Sequence, residues 1–100
     1  MLTNPWVSRI GNLVVVLFDM GIVSGAYFPQ DTVCGLFYGL PKCKLKATAT
    51  LMSSGGPVNV YIESNSDIIM LDGASATYNI TGFLHGQLVY ITSDTIEINE

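Results

Sequence analysis

In several runs of this chain apolar residues recur at every second position, and no 3.6-residue period is sustained beyond two turns. From Cys43 to Met52, the residues Cys43, Leu45, Ala47, Ala49 and Leu51 alternate with Lys44, Lys46, Thr48 and Thr50, as in a strand with one dry and one wet face. After "SSGG" a second run alternates Val58, Val60 and Ile62 with Asn59, Tyr61 and Glu63. A loop at Ser53 to Gly56 sets Met52 opposite Pro57, and Leu51, Ala49 and Ala47 opposite Val58, Val60 and Ile62. The same register places Lys46 opposite Glu63, an opposite-charge cross-strand pair. A slip of one residue would set core side chains against polar ones, so the register is specified.

Other segments read as strands between turns. "LVVVLF" (Leu13 to Phe18) is apolar on both faces, which predicts a central strand covered on both sides. "DMG" (Asp19 to Gly21) predicts a hairpin loop with a left-handed glycine, returning through "IVSGAYF". Short strands are expected at Ile68 to Leu71 and around Tyr78 to Ile80, and a last hairpin in "QLVYIT" and "TIEIN", turning at Thr92 to Thr95. "MLTNPWV" lacks alternation, so residues 1–12 are expected to form an extended N-terminal arm. Residues 13–100 are expected to form a single all-β domain. Eight or nine short strands at this spacing predict a two-sheet antiparallel β-sandwich, Ig-like or jelly-roll-like, with a small barrel as the competing architecture.

Composition narrows the partners. Hydrophobic residues make up 49% and charged residues 12%, the latter about half the usual share. A surface so poor in charge is covered by Thr, Ser, Asn, Gly and Tyr, or is buried against other subunits. Four basic residues and a net charge of -4 argue against nucleic acid, whose binding needs clustered Lys and Arg. Ile10 to Phe28 has the length of a bilayer span, and Arg9 precedes an apolar run as in a secretory signal. Asp19 at its middle, three glycines and its valines favour strand over a membrane helix.

"CGLFYGLPKC" holds both cysteines. Two Cys and one His are too few for a zinc site, and the thiols are too far apart for a redox motif. A turn at Tyr38 and Gly39 would set Cys34 opposite Cys43 as a non-hydrogen-bonded pair, where side chains approach closest. The expected outcome is a Cys34–Cys43 disulfide, with two buried thiols as the alternative.

His85 is expected in a turn, and no nucleophile motif accompanies it. Asn65, Asp67 and Asp72 read as turn caps in preference to calcium ligands. Lys42, Lys44 and Lys46 read as strand-edge protection. Asn79 in "NIT" is a glycosylation sequon, meaningful only outside the cell. Pro5, Trp6, Tyr61 and Tyr90 are candidate subunit-interface residues, because exposed aromatics suit interfaces or sugar stacking.

No catalytic, metal or cofactor set can be assembled from named positions. The reading is a non-enzymatic structural subunit of an extracellular assembly, foremost of a virion, as a capsid or capsid-associated protein, packing on copies of itself and on other structural proteins. A filament or surface-layer subunit is an alternative. So is a carbohydrate- or receptor-binding adhesion module, with a glycan as ligand.

Overall fold

The alternating runs around "SSGG" form β4 (Ala47–Ser53) and β5 (Gly56–Ile62), paired Met52↔Pro57, Leu51↔Val58, Ala49↔Val60 and Ala47↔Ile62. This is the register read from the alternation, and Lys46 Nζ lies 3.9 Å from Glu63 Oε2 as that register requires. The computed structural model describes residues 5–74 and 76–93, with backbone alone at 23 and 24. Among these residues the other strands are β1 (Trp6–Ile10), β2 (Leu13–Phe28), β3 (Val33–Phe37), β6 (Ile69–Asp72) and β7 (Tyr78–Ile91).

All seven strands belong to one antiparallel sheet, in the order β1-β2-β7-β4-β5-β6-β3. The expected two-sheet sandwich is therefore corrected to a single curled sheet, a half-barrel. The strands a second sheet would need are bonded into the first. β7 pairs with β2 on one side and with β4 on the other, through Met52↔His85 and Ser53↔Leu84. The curl brings the two ends together over one concave core, where the Phe18 ring of β2 meets the Phe37 ring of β3 at 5.2 Å. Val14, Val16, Leu51, Val58, Val60, Ile62, Ile69, Leu71, Ile80, Leu84 and Leu88 fill that concavity, each almost fully buried.

Three local expectations also change. The hairpin loop expected at "DMG" does not form, because β2 runs on from Leu13 to Phe28 against β7, with Asp19↔His85 and Gly21↔Phe83 in register. Gly21 is not left-handed, as that loop would require. The strands expected separately near Tyr78 and at "QLVYIT" are one element, β7, and His85 sits within it rather than in a turn. The turn expected at Thr92 to Thr95, and the strand after it, extend beyond the described residues.

The Cys34–Cys43 hairpin is the third. Cys34 lies in β3 opposite Leu71 of β6, and Cys43 bridges to Thr92. Both thiols are free, so the expected disulfide is absent. A two-residue I′ turn needs left-handed residues at both centres, and here Gly39 is left-handed (φ 78°) while Tyr38 is not. The chain leaves β3 and is held by the 65–67 loop, with the Leu40 and Cys43 amides donating to Asp67 and Ser66 carbonyls at 3.0 and 2.9 Å.

Of the segment expected as an arm, Trp6–Ile10 is strand β1, paired along its length to β2 through a tight turn at Gly11 and Asn12. Gly11 takes the left-handed conformation there (φ 59°), and Arg9 Nε donates to its carbonyl at 2.9 Å. The stretch with the length of a bilayer span is strand, and no helix among the described residues is long and apolar enough to cross a membrane.

Candidate interaction surface

On neighbouring strands, residues in register point to the same face, so the pairings define the outer wall of β1, β2 and β7. Its rows are Trp6, Leu17 and Gln87; Ser8, Val15 and Val89; Ile10, Leu13 and Ile91. The intervening residues Val14, Val16, Leu88 and Tyr90 point inward and are buried. Seven of these nine outer positions are apolar and none carries a charge.

Six of the seven apolar members are exposed, and Val15 is half-buried. Trp6 is 78% exposed and Ile10 76%, while Leu13, Leu17, Val89 and Ile91 are exposed by 42–44%. Taking roughly 150–250 Å² as the full surface of an aliphatic or aromatic residue, the wall leaves about 600–700 Å² of mainly apolar surface uncovered. That is at or above the largest patch of an ordinary monomer, about 300–600 Å².

Charge begins where the wall ends. In the next row His85 Nε2 lies 3.2 Å from Asp19 Oδ1, and the imidazole packs against the Phe83 ring at 4.6 Å. Across the sheet, the outer face of β4 and β5 is mixed, with Thr48, Thr50 and Asn59 exposed beside Met52 and Pro57, and Thr50 Oγ1 donating to Asn59 Oδ1 at 2.8 Å. The contiguous, uncharged apolar rows thus lie on the β1-β2-β7 side of the sheet, while Met52, Val33 and Leu45 are exposed elsewhere.

The residues singled out in the sequence fall in different places. Trp6 stands at the corner of the wall, directly after half-buried Pro5. Tyr61 is half-buried on the outer face of β5, with Lys46 Nζ 4.9 Å from its ring centroid. Tyr90 faces the core, buried, and its hydroxyl donates to the Pro41 carbonyl at 2.8 Å. Asn79 is exposed on β7.

Cys34 is half-buried and Cys43 fully buried. The Cys43 thiol donates to the Leu45 carbonyl at 2.6 Å, and burial, with the charge of Glu63, raises its pKa above the ordinary 9.0. Buried thiols of this kind are poor nucleophiles. Two shallow hollows of about 270 and 460 Å³ share Asp72, one lined also by Asp31, Thr32 and Tyr61, the other by Thr48, Thr50 and Asn59. Among the described residues, no three His, Cys, Asp or Glu side chains cluster closely enough to hold a metal ion.

Ile10, Leu13, Val15, Leu17, Val89 and Ile91 were not foreseen as site residues. The available signal was "LVVVLF", whose two apolar faces imply two coverings, of which the fold supplies one. No family model matches the chain, and no curated protein or solved structure is detectably similar to it.

Proposed function

We propose that the protein is a non-enzymatic structural subunit of an extracellular assembly, foremost a virion, and that it acts by burying the β1-β2-β7 wall against neighbouring subunits. The observation that carries this reading is the wall: about 600–700 Å² of mainly apolar, uncharged sheet surface. Burying it at about 25 cal/mol per Å² is worth on the order of 15 kcal/mol before the costs of association. The low content of charged residues, 12%, suits a protein whose surface is largely covered in use.

Footprinting tests this without knowledge of the neighbour. Carbene labelling of Trp6 is compared between native source material and the isolated chain. Protection in the native material supports a packing subunit; equal labelling in both refutes it.

A glycan-binding reading retains the hollows beside Tyr61 and Asp72. Against it, Lys46 lies over the Tyr61 ring and Tyr90 is inside the core, so these two tyrosines do not together form a platform for stacking a sugar. Saturable binding on a glycan array would favour it over subunit packing.

A further inference from the structure

We infer that the occupant of the wall is a second copy of this chain, the two β1-β2-β7 faces stacking across a two-fold axis. The inference rests on the reading of the wall as a packing surface and names its partner. Area is the first argument. In a two-fold contact each copy contributes the same patch, so two walls bury about 1,200–1,400 Å² in total, within the range of specific, stable interfaces.

Charge is the second. The chain carries a net charge of -4, so copies meeting through most other surfaces would bring like charges together. The wall has no ionisable side chain among its nine positions and avoids this. A basic or acidic partner would gain nothing from it.

Shape is the third. Sheets stack face to face about 10 Å apart with interdigitating side chains. Trp6 and Ile10 project most, and between them sits the small Ser8. One surface thus carries both a knob and the gap to receive it. The apolar outer face of "LVVVLF" would be covered in the dimer, as its sequence demands. Pairing through the outer edge of β1, which has no partner strand among the described residues, would extend the sheet and leave the wall open.

Sedimentation of the full chain at rising concentration tests the inference, with circular dichroism to establish that each variant is folded. The native chain is expected to dimerise. Val89→Lys places an ammonium group in the wall and should weaken dimerisation by about a hundredfold or more. Leu17→Gln, a milder change, should act in the same direction and serves if Val89→Lys fails to fold. Val7→Lys lies on the opposite face of β1 at the free edge, and should leave dimerisation unchanged.

A native chain that stays monomeric overturns the inference. So does a dimer abolished by Val7→Lys and untouched by Val89→Lys, which would put the edge in place of the wall. Trp6 labelling separates the two levels. A monomer whose Trp6 is protected in native material removes the second-copy occupant and leaves the packing reading standing; a monomer with Trp6 equally labelled in both removes both.

Discussion

Replacing Gly86 by alanine probes how closely β7 is pressed against β4. Gly86 sits opposite Phe18 in mid-strand with φ 146°, a conformation that residues with a Cβ rarely adopt. An added Cβ would lie 2.6 Å from Leu51 Cδ2 and 3.3 Å from Leu51 Cα. The methyl can swing away, but Leu51 is fully buried and has little room to do so. Backbone strain of about 1–2 kcal/mol and overpacking of about 1–2 kcal/mol together predict a loss of about 2–4 kcal/mol.

Gly21→Ala, on the neighbouring strand, is the matched control. Its Cβ would meet no heavy atom within 4 Å and its backbone is not left-handed. It should be neutral or stabilising by up to about 1 kcal/mol, through the entropy of the unfolded chain. Urea unfolding followed by far-ultraviolet circular dichroism is the suitable assay. Fluorescence is not, because Trp6 is already 78% exposed when folded. With a denaturant slope of about 1 kcal/mol per molar, the two midpoints should separate by roughly 2 M or more. Equal midpoints would refute the close approach of Leu51 to the β7 backbone.

Three further outcomes are expected. The folded state holds the Cys43 proton more tightly than the unfolded state, so its contribution to stability is full below the unfolded thiol's pKa and is lost as pH rises through the raised, folded value; urea midpoints should fall less steeply with alkaline pH in Cys43→Ala than in the native chain. Lys46 and Glu63 are both more than half exposed, so Lys46→Ala should cost no more than about 0.5–1 kcal/mol and less at high salt, read from the same midpoints. The buried Tyr78 hydroxyl donates to the Asp72 carbonyl at 2.6 Å, and Tyr78→Phe should cost about 1–2 kcal/mol in thermal or urea unfolding.

Legibility in the sequence followed the range of the interactions. The β4-β5 hairpin could be read residue by residue, because alternation and a four-residue loop fix a local register. Asp19 and Gly21 carry turn chemistry, yet they sit in mid-strand because β7, more than sixty residues later, supplies a continuous ladder opposite them. The Cys34 hairpin failed at a single dihedral: Tyr38 does not take the left-handed conformation that a two-residue turn asks of it. Sandwich and curled sheet share the same inward alternation, and the difference lies in whether β7 also pairs with β4. Trp6 was legible as an exposed aromatic. The wall around it was not, since it joins residues 6–10, 13–17 and 87–91 through registers that no local pattern records.

The placement of β7 between β2 and β4 also bears on how the chain is made. β2 is synthesised before β3 to β6, while its ladder partner, running from Tyr78 to Ile91, comes after them. On the ribosome, therefore, β2 can find β1 but waits for β3 to β6 and then β7 to be made before its other edge is satisfied. Such long-range pairing is slow to form and leaves apolar strands open to misassociation in the interval. Pairing of β2 with β7 accordingly follows the synthesis of every strand between them, and the yield of soluble protein should rise when a holding chaperone is supplied.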